Sequence, residues 1–382
     1  MSDTLPPDAG RVSRRGLFAG FGAAGVMGLG AIALAQASRS YKESNPLGHV
    51  SAFGLHQAGV SRPDIPQQHC LICVVDIQSG DPARWLGSLS QEIASLTAAP
   101  SGNPLVTPDG VGDLTITVGL GARPLSHSRH LEFANQLRLP LFKGDNDLDP
   151  GFIGGDVFIS VNASDPIVLA PTLARVIGHL PSPTVRWQEF GFRGQPVRGV
   201  VRNSLGYFDG IIEPRTEAEL DDNVWIGSGP LKGGTICVIR KFALDAVSFR
   251  KLDQTQRDKV LGRRQLTGAP LSGGNRDDEI NLDAKEPDGT LKVPEHSHAR
   301  AAHPSFTGSG VMLRRGYSFR SEQADTGHLF VSFQNDVSTF VKTQLRLDEG
   351  DSLSEFATPL ATAAFVVLPG FNEGRPLGST LF

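Results

Sequence analysis

Short runs rich in β-branched residues alternate along this chain with segments whose apolar positions recur three and four apart. Ile72-Cys73-Val74-Val75 reads as a buried strand, and residues 82–96 after it read as an amphipathic helix. Leu114-Thr115-Ile116-Thr117-Val118 alternates as a strand should, and Gly155-Asp156-Val157-Phe158-Ile159-Ser160-Val161-Asn162 gives another. The helix that follows opens with Asp165 as N-cap and Pro166 in its first turn, then presents Leu169, Leu173, Val176 and Ile177 for burial.

The pattern then repeats. Ile236-Cys237-Val238-Ile239 echoes the first strand 164 residues later, with an amphipathic segment over 245–261 behind it. Gly327-His328-Leu329-Phe330-Val331-Ser332-Phe333-Gln334 echoes the strand at Gly155 at an offset of 172, with a helical counterpart over 339–345, and Val311-Met312-Leu313 supplies the strand between. Each half therefore reads strand, helix, strand, strand, helix, strand. That predicts an α+β fold of two tandem ferredoxin-like units with antiparallel sheets and peripheral helices, over 56–200 and 201–382. Such a sheet keeps one face free for its twin or for a cofactor. Residues 181–200 and 267–294 lack a regular pattern. The second stretch reads as a surface excursion that returns the chain to His298.

The ends and the composition change the picture in three ways. Ser13-Arg14-Arg15-Gly16-Leu17-Phe18 precedes an apolar run rich in Gly and Ala and closes on Ala35-Gln36-Ala37, which predicts a twin-arginine signal over 1–37, followed by a linker over 38–55. The expectation is export by the twin-arginine translocase to the periplasm or beyond, and a retained membrane anchor is the competing reading. The formal net charge is −4 with no basic stripe, which excludes nucleic acid as a partner. Self-association into a homo-oligomer stays open. Cys70 and Cys73 lie three apart in a strand and so point to opposite faces, which argues against a metal or redox pair.

The candidate chemistry lies in the second half. Gly206-Tyr207-Phe208-Asp209-Gly210 puts an aspartate in a glycine-flanked turn. His298-Ala299-Arg300 and Leu313-Arg314-Arg315-Gly316-Tyr317 add an imidazole and a guanidinium that cannot lose its proton. His296, His298 and His303 are all candidate iron ligands, and Arg314 and Arg315 both candidate cations. A carboxylate can move a proton between the two oxygens of a peroxide, and a fixed cation stabilises charge developing on them and lowers the carboxylate's pKa.

These motifs resemble the dye-decolorising peroxidase family, whose distal motif is G-x-x-D-G and whose proximal motif is H-x-R. The resemblance covers residues 56–382 and includes the terminal Ala364-Phe365-Val366-Val367-Leu368-Pro369-Gly370. It implies haem b held mainly by the C-terminal unit, with His298 as the iron ligand and Asp209 and Arg314 as the catalytic pair on the opposite face. By the same resemblance Gly210, Ile211, Ile212, Arg300, His303, Pro304 and Ser305 contact haem. Asp336 accepts from the second imidazole nitrogen, a helix N-cap being its alternative role. Some branches carry an asparagine two positions beyond the distal arginine, and this chain has Gly316 there. The implied activity is reduction of hydrogen peroxide at the expense of a bulky organic donor such as a dye. A deferrochelatase-like release of iron from haem and a non-catalytic haem carrier are the alternatives. Electron exit to a bulky donor is expected through Tyr207 or Tyr317 and then Trp187 or Trp225.

Overall fold

Asp81 and Pro82 start the first helix in the way their chemistry dictates: the Asp81 carboxylate accepts from the Ala83 N–H and Pro82 occupies a position where no N–H is needed. A computed structural model describes residues 48–382 apart from Ser79, Pro100 and Ser101. The signal read over 1–37 lies outside the described residues, as does the linker up to residue 47.

The first half contains β1 (His69–Asp76), α1 (Pro82–Leu96), β2 (Thr115–Leu120), α2 (Ala122–Leu125), α3 (Leu131–Gln136), β3 (Val157–Ala163), α4 (Leu169–Ile177) and β4 (Thr184–Phe192). A short hairpin of β5 (Val201–Arg202) and β6 (Phe208–Asp209) and the helix α5 (Glu217–Asn223) open the second half. It continues through β7 (Thr235–Leu244), α6 (Ala246–Lys251), α7 (Gln254–Leu261), α8 (His298–Ala301), α9 (Pro304–Thr307), β8 (Leu313–Arg314), β9 (Tyr317–Ser321), β10 (Ala324–Gln334), α10 (Val337–Gly350) and β11 (Ala357–Val367). No described helix is long and apolar enough to cross a membrane.

All the ladders of the large sheet are antiparallel, so the fold is α+β. The strands run β2-β3-β1-β4 in the first half and β9-β10-β7-β11 in the second, the same order twice. β11 pairs with β2 and β4 with β9, so the halves share one sheet, and the β7–β10 pairing closes it on itself. Alternation along β1 sorts the core into two layers. Cys70, Ile72 and Val74 join Leu329, Val331, Phe333 and Phe365 on the enclosed face. Leu71, Cys73 and Val75 pack outward against Leu86, Leu89 and Ile93 of α1 and Leu173 and Val176 of α4. Each fully buried Leu or Val there contributes roughly 1.5–3 kcal/mol.

Three details depart from the sequence reading. Residues 181–200 are not all irregular, because β4 lies within them. Its inward positions include Glu189, whose charge is paired with Lys241 Nζ at 2.7 Å, so an ion pair interrupts the apolar alternation that would have marked a strand. The segment over 245–261 is two helices, since Asp253 forms a reciprocal capping box with Gln256 and restarts the chain. The helix expected over 339–345 extends to Val337–Gly350.

Candidate active site

Asp209 ends β6 of a hairpin whose turn is wired from within. Asn203 Oδ1 accepts from the N–H groups of Leu205 and Tyr207, and Arg202 donates to the Gly206 carbonyl at 2.6 Å. Gly206 and Gly210 have φ of 84° and 81°, which side chains rarely adopt. Ser204 Oγ reaches across to Ser318 Oγ at 2.7 Å and to the Gly327 carbonyl, tying the hairpin to β9 and β10.

On β10, Leu329, Val331 and Phe333 point into the enclosed core, so His328, Phe330 and Ser332 take the opposite face. Arg314 is registered against Ser332, and the same outward face carries its guanidinium. Arg314 Nη2 stands 3.8 Å from Asp209 Oδ1, and its Nε stands 3.9 Å from Glu213 Oε1. Burial opposes ionisation of Asp209, but the charges of Arg314 and Arg193, joined by His328 where that imidazole is protonated, outweigh it and hold the carboxyl below the ordinary carboxylate range. Burial pushes Glu213 the other way, against the pull of Arg314 and Arg315. Two neighbouring carboxyls are thus driven apart in acidity, the arrangement that separates a proton acceptor from a proton holder. Arg315 donates to the Val60 carbonyl at 2.9 Å and is almost fully buried, so Arg314 is the cation beside Asp209.

His298 opens the short helix α8. Its Nδ1 meets Asp351 Oδ2 at 2.7 Å, and Asp351 Oδ1 accepts from the Leu353 N–H. Burial lowers the imidazole's affinity for a proton, and Asp351 more than compensates, so its pKa is raised. Asp336, read from the sequence as the imidazole's acceptor, is not that residue: its carboxylate accepts from the Ser338 N–H and caps α10 at the end remote from Asp351. His296 is exposed and lies against Gly350, while its carbonyl accepts from the Ser352 N–H beside Asp351.

The remaining expected contacts are tied to the excursion over 267–294. Arg300 donates to the Leu282 carbonyl at 2.5 Å and lies over the Phe306 ring. His303 Nε2 meets Glu279 Oε1 at 3.3 Å, while its Nδ1 accepts from the Ser305 N–H and Pro304 begins α9. Ile211 is half-buried and Ile212 is exposed beside Gly210. Tyr207 donates to Asp258 and Tyr317 to the Gln67 carbonyl, both buried. Trp187 and Trp225 are each only 5% exposed, so neither presents a ring to a bulky donor at the surface, contrary to the sequence expectation. Sequence reasoning missed Asp351, Glu213, Arg193 and His328. Glu213 had a signal, since it lies four residues beyond Asp209, and the others had none.

The family model described as Dyp-type peroxidase, N-terminal matches residues 57–193, and that described as Dyp-type peroxidase, C-terminal matches residues 201–372. The chain belongs to the Dyp-type peroxidase family. It is similar to a dye-decolorizing peroxidase of Thermobifida fusca, 34% identical over 70% of this chain and 67% of that protein. It is also similar to a deferrochelatase of Yersinia pestis, 30% identical over 85% of this chain and 82% of the relative. Among solved structures, a DyP-type peroxidase from Streptomyces coelicolor has a TM-score of 0.79 at 29% identity, covering 87% of this chain and 96% of that one.

Enzymes of this family carry haem, and the residues present fit it. The Asp351 contact commits Nδ1 of His298 and leaves Nε2 free, an arrangement that would raise the basicity of Nε2 toward an iron. The His298, Asp209 and Arg314 side chains keep 36%, 28% and 27% of their surface open, so none of the three is sealed off from an incoming group. Arg193 Nε is buried with no hydrogen-bond partner among the described residues, a donor that an anionic group would satisfy, while the guanidinium lies over the Tyr317 ring at 5.0 Å.

Proposed function

We propose that this Dyp-type peroxidase would hold haem b beside β8 and β10, with His298 ligating the iron and Asp209 and Arg314 acting on the peroxide, and that it reduces hydrogen peroxide while oxidising bulky organic donors. The observation that supports this is the pairing of His298 with Asp351 and of Arg314 with Asp209, with His298 within the electrostatic reach of both Asp209 and Arg314. Haem, when bound, supplies the electrons for O–O cleavage and stores the oxidising equivalents. Asp209, ionised throughout the neutral range, accepts a proton from hydrogen peroxide at its carboxylate and returns it to the departing oxygen. Arg314 holds the peroxide oxygens by charge-assisted donation and stabilises the negative charge that grows on them. Glu213 fixes the other edge of the Arg314 guanidinium. We read the two halves as ferredoxin-like units, the first closed by aliphatic packing and the second given over to the cofactor. The twin-arginine pattern supports export of the chain.

The resemblance to deferrochelatases favours a second reading, release of iron from haem with the porphyrin left whole. Incubating the purified protein with haem and hydrogen peroxide separates the two. Dye oxidation with haem retained supports the peroxidase, whereas accumulation of metal-free porphyrin, seen by its fluorescence, supports iron release.

A further inference from the structure

His328 is a distal-pocket group that the reading above leaves without a task. It sits on β10 opposite Ser318 of β9, on the same face as Arg314, and the Ser204 hydroxyl anchors the Asp209 hairpin to both of its neighbours, Ser318 and Gly327. Gly316 marks how close it comes to Asp209: a Cβ at that position would lie 3.0 Å from His328 Cε1, 3.5 Å from its Nε2 and 3.3 Å from Asp209 Oδ2. The imidazole thus takes the room that a side chain at 316 would need. Its ring makes no hydrogen bond to any described residue, unlike His298 and His303, which are both held by carboxylates.

Resting on the proposed haem site, we propose that His328 is a second proton acceptor of the distal pocket, working beside Asp209 on the same small acid. Hydrogen peroxide gives one proton to the neutral imidazole, yielding hydroperoxide anion and imidazolium, and the anion is met by the Arg314 guanidinium. Charge and protons balance without any further reactant. The groups facing His328 are Asp209 from β6, Arg314 from β8, Arg193 from the segment after β4, and His298 from α8. Burial, with the three cationic or cationisable neighbours, lowers the ring's affinity for a proton against the opposing pull of Asp209, which favours the neutral form that can accept one. Arg193 and Arg314 stabilise the anion that remains.

The test uses the haem-loaded protein and hydrogen cyanide, an acid that also sheds a proton when it binds haem iron. Its association rate is read from the Soret shift across pH 4–9 in wild type, Asp209→Asn, His328→Leu and the double variant. Asp209→Asn should keep a substantial rate that falls at acid pH as His328 becomes protonated. Adding His328→Leu should remove that acid limb and slow association at neutral pH at least about tenfold, within the range of a general base. His328→Gln, which keeps a polar group of similar reach without a base, should behave as His328→Leu and covers the case in which leucine prevents folding. A double variant with the rate and pH profile of Asp209→Asn alone overturns the proposal. A wild-type protein that takes up no haem overturns the haem site instead, so the two failures are distinguishable.

Discussion

The outward face of the first half and that of the second are laid on the same strand order, yet they are covered differently. Over β1 and β3, α1 and α4 press Leu86, Leu89, Ile93, Leu96, Leu173 and Val176, all but excluded from solvent, into a continuous aliphatic layer. Over β10 the equivalent positions are His328, Phe330, Ser332 and Gln334, with Arg314 beside them, and α10 buries only Thr339 and Phe340. The helix corresponding to α1 is broken into α6 and α7. One copy of the framework is spent on its own core, whereas the other buries Ser332 and Gln334 but leaves His328 and Arg314 partly exposed and ionisable. The lesson is that one strand order supports either a closed core or an ionisable site, according to which side chains the strands present and which helices cover them.

If that contrast is right, equivalent substitutions should fail in different ways. Leu89→Ala, in the closed layer, should lower unfolding free energy by about 2–5 kcal/mol through lost burial and a residual cavity. Its haem affinity and peroxide rate should stay within about twofold of wild type while the protein remains folded. Denaturant unfolding read beside a haem titration checks both halves of the claim.

On the open face the order reverses. Arg314→Leu should slow the reaction with hydrogen peroxide roughly 10²–10³-fold, as expected for loss of one charge-stabilising donor, with stability changed by less than about 1 kcal/mol. It should also move the acid limb of the pH profile. Arg314 is the strongest opponent of burial at Asp209, so the wild-type limb should lie below the ordinary aspartate range and shift upward in the variant. Stopped-flow rates against pH measure both effects, and an unmoved limb would detach Asp209 from the chemistry.

Asp351→Asn should be milder, weakening haem binding about 10–100-fold, because the imidazole loses an anionic acceptor and keeps a neutral one. Asp336→Asn should leave haem binding unchanged, since Asp336 caps a helix and asparagine caps nearly as well. Equilibrium haem competition with a reference apoprotein would rank them.

The halves also differed in how well they could be read. The 82–96 helix was legible from its apolar stripe, and its Asp81 cap and Pro82 start agree with that reading. The strand β4 was hidden by Glu189, whose place in the core depends on Lys241, 52 positions away on another strand. His298 was legible as a candidate, but its acceptor lies 53 residues on, at the C-terminal end of α10, and no local pattern connects them. Asp336 misled because an aspartate after a strand and before a helix satisfies two roles at once, and only the fold decides. His328 passed as one more residue of a repeated strand, and its meaning depends on the empty space at Gly316.

The imidazole of His298 on α8, backed by Asp351, is the group proposed to carry the iron. Titrating haem into purified wild type, His298→Ala and His296→Ala, with the Soret band as readout, tests it most directly. The account predicts saturation near one haem per chain in wild type and in His296→Ala, and loss of stable binding in His298→Ala. Retained binding in His298→Ala together with loss in His296→Ala would contradict it.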